Sequence, residues 1–126
     1  MVKLLTIGLG GFAGAVARYL LSGLAHRVWP TSFPVGTLAV NVLGCLLIGA
    51  AMALVGDGRL ISPNARLLLL VGLLGSFTTF STFGYETTEL LAENQYGWAT
   101  LNVGASVVLG LAAVVMGRGA VRLLLA

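Results

Sequence analysis

The stretch "ARLLLLVGLLGSFTTFSTFGYETTELL", from Ala65 to Leu91, joins a long apolar run to a hydroxyl-rich centre. About 20 apolar residues in a helix cross the hydrocarbon of a bilayer, and this stretch is longer than that. It lacks the period-two alternation of a membrane barrel strand, so it predicts a transmembrane helix. Its centre alternates phenylalanines at every third position with hydroxyl residues, in the set Phe77, Phe80, Phe83, Thr78, Thr79, Ser81 and Thr82. On an unbroken helix the three rings would form one stripe.

The composition of the whole chain indicates an integral membrane protein. Of its 126 residues, 58% are hydrophobic and only 9% are charged, whereas soluble domains carry about a quarter charged residues. We therefore expect residues 1–126 to form a single transmembrane domain. The net charge of +3 comes from scattered cations, without the basic and aromatic clusters typical of nucleic-acid binding. The single cysteine, Cys45, lies in an apolar run and excludes a disulfide framework.

Four apolar segments predict four membrane spans, at about residues 4–24, 35–55, 65–91 and 98–124. Short connectors rich in helix breakers separate them, namely "AHRVWPTSFP", "GDGRLISPN" and "AENQYG". Backbone polar groups inside lipid must be satisfied within the chain, so these spans predict an all-α membrane protein. Gly72 and Gly75, followed by Ser76, permit local unwinding, and we expect the third helix to be broken near its middle. Carbonyls freed at such a break could bind a cation or bridge a partner helix.

Small residues spaced four apart predict close packing between helix backbones. These pairs are Gly10 with Gly14, Ser106 with Gly110, and Ala113 with Gly117. Simple packing accounts for any single pair. Four short helices nevertheless enclose little interior, so a pathway through them requires a second copy, and we expect a homodimer.

The cations bias the orientation of the chain in the membrane. With four spans, one side holds Lys3, Arg59, Arg66, Arg118 and Arg122, whereas the opposite side holds Arg27, together with Arg18 if its side chain reaches that way. Positive residues favour the cytoplasmic side, so both termini are expected there.

Polar residues inside the spans each allow two interpretations. Arg18 is either a snorkelling cation near the interface, or a functional group that gathers anions or tethers other groups. Asn41, and the pair Asn102 and Ser106 one turn apart on the fourth span, either hydrogen-bond between helices or face a polar pathway. Glu86 is an acid clearly inside a span, one turn before Glu89.

The residues of the third span suit a small, hard anion. Hydroxyl and amide groups donate hydrogen bonds, and the edge of a phenyl ring is its electropositive side. This chemistry does not identify the anion. Nothing indicates catalysis, because the lone His26 has no nucleophile or metal-ligating neighbours in sequence, and we expect no enzyme.

Three motifs, "GGFAGAVARY", "GTLAVNVLG" and "GLLGSFTTFSTFGYET", occur in this order in a short chain. Together they resemble the Fluc family of fluoride channels, and the resemblance covers essentially the whole chain. It implies an antiparallel homodimer of dual topology with two fluoride pores, although some family members pair as two homologues. It also implies passive fluoride export across the bacterial inner membrane, which lowers cytoplasmic fluoride.

The resemblance also implies roles for individual residues. Phe80 and Phe83 match the pore phenylalanines whose ring edges face the ion. The other residues matching the pore are Asn41, Ser81, Thr82, Ser106 and Glu86.

Outside the pore, Gly75 and Thr78 match positions at the break of the third helix, whose backbone carbonyls, from both subunits, hold a structural Na⁺ at the dimer interface. Arg18 matches the first-helix arginine of the family. Two positions depart from the family pattern. Ser76 stands where a second glycine is common, and Asn102 stands where tyrosine is common.

Two other functional classes compete with a channel. A small proton-coupled multidrug exporter is also a four-helix antiparallel dimer, but that mechanism needs a carboxylate in the first helix, where this chain has Arg18. A non-transporting membrane subunit would use Asn41 and the phenylalanines for packing only. Fluoride efflux from liposomes distinguishes the three classes.

Overall fold

The computed structural model describes residues 1–56 and 61–126, and these form helices joined by short connections. In chain order the helices are α1 (Val2–Val28), α2 (Val35–Gly56), α3 (Pro63–Arg66), a π-helical segment (Leu67–Leu74), α4 (Gly75–Phe77), α5 (Phe80–Ala92) and α6 (Tyr96–Leu125).

Helices α1, α2 and α6 are each long and apolar enough to cross a membrane, as is the combined span Pro63–Ala92. The described residues contain no strand. The predicted all-α fold with four membrane-spanning helices is therefore confirmed. Arg59, one of the cations used to predict orientation, lies outside the described residues.

The third span changes geometry twice along its length. It starts at Ser62, whose side chain accepts a hydrogen bond of 3.2 Å from the Ala65 N–H, and continues as a π-helix from Leu67. Helical geometry stops at Thr78 and Thr79, whose ψ angles of 154° and 109° are extended, and resumes at Phe80. Gly72 and Gly75, where we expected unwinding, are themselves helical. The interruption therefore lies after the glycines.

The three phenylalanines do not form the continuous stripe that their spacing predicts. Phe77 precedes the interruption and is 4% exposed, whereas Phe80 follows it and is 85% exposed. Two extended residues between them turn the second part of the span, so rings on either side of Thr78 and Thr79 face different surroundings. Phe80 and Phe83, both after the interruption, stay together with ring centroids 5.6 Å apart.

Glycines allow α1 to pack directly against the backbone of the third span. A Cβ atom on Gly10 would overlap the Leu68 carbonyl oxygen, and one on Gly14 would overlap that of Leu73. Similarly, a Cβ on Gly117 of α6 would overlap the Leu46 carbonyl oxygen of α2. The predicted close packing is confirmed at these three glycines. It leaves α5 and the interruption to be positioned by side chains.

The short connections are also fixed by specific contacts. Phe33, between α1 and α2, is 7% exposed and packs on Trp98 of α6 with ring centroids 5.4 Å apart. Asn94 makes the turn from α5 to α6 with a φ of 59°, a left-handed conformation that asparagine tolerates better than most residues. These contacts bring the ends of α2, α5 and α6 together.

Candidate functional site

A cavity of about 460 Å³ lies beside the interruption of the third span, between α2 and α6. It brings together residues that are far apart in sequence, and six of the predicted site residues border it: Asn41, Gly75, Thr78, Phe80, Phe83 and Ser106. Thr79 and Cys45 border it as well. We call this space the main cavity. Its lining combines amide, hydroxyl, thiol, backbone and ring groups.

Asn41 pairs with the backbone at the point where the third span is interrupted. Its Nδ2 donates to the Thr79 carbonyl oxygen at 3.1 Å, and the Thr79 N–H donates to its Oδ1 at 2.8 Å. Thr79 is 7% exposed, so both backbone groups would be costly to leave unpaired. The amide of Asn41 thus replaces the helical partners that Thr79 lacks. A side-chain amide carries two N–H donors, so one remains for another partner.

Two carbonyl groups, that of Gly75 before the interruption and that of Thr78 within it, have no such replacement. Among the described residues, no backbone or side-chain group donates a hydrogen bond to the carbonyl oxygens of Gly75 or Thr78. The Thr78 hydroxyl instead donates to the Leu74 carbonyl oxygen at 3.2 Å. Backbone oxygens are suitable ligands for a hard cation such as Na⁺. The carbonyl oxygens of Gly75 and Thr78 are therefore chemically suitable ligands for the predicted Na⁺, and one chain would supply two of them.

Phe80 and Phe83 border the main cavity. Their planes are tilted by 41°, so they do not stack face to face. Phe80 is 85% exposed in the single chain, although the same residue contributes to the cavity wall. Phe80 thus lines the cavity and is also exposed at the surface of the single chain.

A second cavity, of about 430 Å³, lies between α1, α2 and the start of α5. Two predicted site residues, Arg18 and Thr82, border it, along with His26 and Thr37. Thr79 borders both this cavity and the main one. Thr79 therefore borders both the cavity lined by Arg18 and the cavity lined by Phe80 and Phe83.

Glu86 lies apart from both cavities. Its Oε1 accepts a hydrogen bond of 2.8 Å from the Thr37 hydroxyl, and its Oε2 is buried without a partner among the described residues. It borders a smaller cavity of about 200 Å³ together with His26, Glu89 and Glu93. Ser81 is exposed and borders none of these three cavities. The predicted pore residues are thus distributed over several surfaces of the single chain.

Two contributors to this region were not among the site residues predicted from the sequence. Thr79 carries the backbone that Asn41 binds, and Thr37 holds the Glu86 carboxylate. Thr37 lies four residues before Asn41 on α2, so the two share a helix face. That spacing was the available signal for Thr37. The pairing of Asn41 with Thr79 joins positions 38 residues apart and left no local signal.

Asn102 and Ser106 lie one turn apart on α6 but have different surroundings. Ser106 borders the main cavity, and its hydroxyl is buried without a partner among the described residues. Asn102 is 1% exposed and does not border the main cavity. Its Nδ2 donates to the Thr87 hydroxyl of α5 at 2.9 Å. Although the two residues share a helix face, Ser106 therefore borders the cavity and Asn102 bonds to a neighbouring helix.

Comparisons with known proteins agree on one family. The model of the family described as "CrcB-like protein, Camphor Resistance (CrcB)" matches residues 5–118. A protein from Maridesulfovibrio salexigens named "Fluoride-specific ion channel FluC" is 44% identical over 124 residues, which are 98% of this chain and 98% of the relative. Proteins of the same name from Geobacter sulfurreducens and Shewanella frigidimarina are 50% and 49% identical over 86% and 94% of this chain, and 88% and 94% of the relatives.

Proposed function

The chain belongs to the CrcB-like protein family, and from this premise we propose that it is a fluoride-selective ion channel that exports fluoride passively across the cell membrane. Relatives that are similar to this chain over most of its length are named fluoride-specific ion channels. Ion channels are not an enzyme class. The observation that carries the proposal is the main cavity, where Asn41, Phe80, Phe83 and Ser106 meet.

Fluoride is small and strongly hydrated, so a pore must replace its water with donors placed close together. The main cavity offers a free N–H of Asn41 and the Ser106 hydroxyl, which has no partner among the described residues. The electropositive edges of Phe80 and Phe83 supply weak donors beside them. We assign the ion path to this set. The binding is weak enough at each group for the ion to leave again.

The remaining predicted residues are assigned supporting roles around this path. Arg18, in the second cavity, raises the local concentration of anions at one mouth of the pore. Thr82 borders the same cavity, and Ser81 is exposed beside it in sequence. We assign both hydroxyls to a polar track along α5, with Glu86 at the end of that track.

We propose that two copies of the chain assemble as an antiparallel homodimer. Phe80 borders the main cavity and is 85% exposed in the single chain, and a second subunit would cover it. Two copies related by a two-fold axis would form two equivalent pores. Opposite insertion of the two copies places one main cavity towards each side of the membrane.

A Na⁺ ion at the dimer interface would complete this assembly. The carbonyl oxygens of Gly75 and Thr78 would hold it, since neither accepts a hydrogen bond within the described residues. A hard cation takes more than two oxygens, so the partner subunit would supply the same two groups. The ion supplies positive charge and ties the subunits together. The chain's own role is to present the unpaired oxygens.

Four helices able to span a membrane, together with the channel relatives, make this chain a multi-pass membrane protein. We place it in the plasma membrane of a bacterium, the inner membrane where there are two. There a passive channel lowers cytoplasmic fluoride, because fluoride enters as the neutral acid and dissociates inside. A proton-coupled multidrug exporter is not favoured, since α1 carries Arg18 and no acid.

Fluoride efflux from liposomes that contain the purified protein tests the proposal, with a fluoride electrode as the detector. We expect rapid efflux without any added gradient of protons or sodium. A non-transporting membrane subunit would give no efflux, and an exporter would require a proton gradient. Protein-free liposomes and liposomes with an unrelated four-helix membrane protein are the controls.

A further inference from the structure

Asn102 on α6 is a buried amide whose presence packing alone does not explain. It is 1% exposed, and its Oδ1 has no partner among the described residues. An unpaired buried polar atom destabilises a protein, and a leucine of similar volume would fill the same space without that cost. The hydrogen bond of its Nδ2 is therefore the feature that gives this residue a role.

That hydrogen bond continues through Thr87 into α5. Asn102 Nδ2 donates to the Thr87 hydroxyl at 2.9 Å, and the same hydroxyl donates to the Phe83 carbonyl oxygen at 2.7 Å. A hydroxyl has one proton, so by donating to Phe83 it can only accept from Asn102. Both bonds are within ideal distance and reinforce each other. We call this chain of bonds the Asn102–Thr87–Phe83 relay.

The relay joins two helices that lack the close backbone packing seen elsewhere. In the described part of the chain it contains the one side-chain hydrogen bond between α5 and α6. The glycine contacts fix α1 against the π-helical segment and α2 against α6, but none fixes α5. The relay ends on the backbone of Phe83, whose ring borders the main cavity with Ser106 of α6.

We infer that Asn102 is a positioning residue for the pore, acting through Thr87 to set the depth of Phe83 against α6. The inference rests on the proposed function, because it concerns the ring that faces the ion. Asn102 does not border the main cavity and need not touch fluoride. Its amide sets where the ring edge of Phe83 lies relative to the Ser106 hydroxyl.

Four variants, measured beside the wild type in single-channel recordings, test the relay. Thr87→Val removes the hydroxyl and keeps the shape, Thr87→Ser keeps the hydroxyl, and Asn102→Leu removes the amide. Thr88→Val is the matched control, because the Thr88 hydroxyl donates to the Tyr85 carbonyl oxygen at 2.8 Å without a partner on α6. Fluoride conductance per channel is the main readout, since a merely structural loss lowers the number of folded dimers and not the conductance of each.

We expect Thr87→Val and Asn102→Leu each to lower the fluoride conductance per channel about fivefold or more, as for loss of a buried coupled bond. The double variant should be no worse than either single one, whereas Thr87→Ser and Thr88→Val should conduct like the wild type. Unchanged conductance in Thr87→Val or in Asn102→Leu overturns the inference, and so does an additive double variant. Because the two changes lie on different helices, either one decides the question if the other fails to fold. A wild type that does not conduct fluoride would instead contradict the proposed function.

Discussion

At the residue scale, Asn41 explains how the third span can leave helical geometry inside a membrane. Its amide binds both the N–H and the carbonyl of Thr79, at 2.8 and 3.1 Å. In lipid there is no water to satisfy these groups, so the interruption depends on this pair. Asn41 also borders the main cavity, where we propose that its second N–H binds the anion. One residue thus stabilises the interruption and takes part in the proposed ion path.

Replacing Asn41 with leucine should therefore lower both stability and fluoride flux. Loss of the two bonds leaves the buried Thr79 backbone groups unpaired, which costs about 1–3 kcal/mol for each group. Unfolding in detergent with increasing denaturant measures the first effect, and liposome efflux measures the second. Asn64→Leu is the control, because Asn64 is exposed at the start of α3 and should change stability by less than about 0.5 kcal/mol. Equal stability of the Asn41 and Asn64 variants would contradict this account of the interruption.

The two phenylalanine rings of the main cavity should matter through their edges and not through their bulk. Phe80→Ile or Phe83→Ile keeps an apolar side chain but removes the electropositive rim, so we expect fluoride flux to fall about tenfold or more with the dimer intact. Phe12→Ile is the matched control, since Phe12 is 73% exposed on α1, away from the main cavity. Near-normal flux in both cavity variants would exclude the rings from the ion path.

At the scale of the elements, close helix packing fixes one half of the third span, and side-chain bonds fix the other. Gly10 and Gly14 place α1 directly on the backbone of the π-helical segment. After the interruption, α5 is held by Asn41, Thr37 and Asn102 through hydrogen bonds. The closely packed half includes Gly75, Thr78 lies in the interruption, and the hydrogen-bonded half carries Phe80 and Phe83. The interruption is thus the boundary between two modes of packing.

Gly14→Ala should destabilise the protein, whereas Gly8→Ala on the same helix should not. A Cβ at position 14 would overlap the Leu73 carbonyl oxygen and force α1 away, at about 1–3 kcal/mol. A Cβ at position 8 meets no atom within 4 Å, so alanine should stabilise the helix by roughly 0.5–1 kcal/mol through its higher propensity. Unfolding free energies of the two variants in detergent provide the comparison. Similar values for both would show that the α1 packing is looser than described.

The sequence predicted the helices better than it predicted the interruption. Long apolar runs and small residues four apart are local patterns, and they indicated the four spans and the packing at Gly10, Gly14 and Gly117. The glycines favoured unwinding near Gly72 and Gly75, and the family resemblance placed the break at Gly75 and Thr78, whereas the extended residues are Thr78 and Thr79. Its position depends on an amide from another helix, and such a pairing has no local signature. For the same reason, the sequence did not predict that Arg18 and Thr82 border a second cavity and that Glu86 borders a third.

At the scale of the whole molecule, the single chain leaves features that a second copy would complete under the proposed function. Phe80 borders the main cavity and is nevertheless 85% exposed. Two carbonyl oxygens with no hydrogen bond from the described residues lie at the edge of the same cavity. Both features are accounted for by one proposal, an antiparallel dimer with a cation between the subunits.

Removal of Na⁺ should weaken this dimer. We expect protein purified and reconstituted throughout in a sodium-free buffer with a large organic cation to show a smaller dimer fraction, which Na⁺ then restores. Purification without sodium from the start prevents a trapped ion from obscuring the result. Dilution into a large excess of lipid, followed by single-molecule counting of subunits, measures the fraction. A dimer fraction independent of Na⁺ would remove the cation from the proposed assembly.

The most direct test of the account is the reversal potential of the current through the reconstituted protein in a planar bilayer. Opposing gradients of fluoride and chloride, with pH and sodium equal on both sides, separate the possible carriers of the current. A passive fluoride-selective channel predicts a current that reverses at the equilibrium potential of fluoride and is unaffected by a later proton gradient. A current that reverses at the equilibrium potential of chloride, or one that requires the proton gradient, would contradict it.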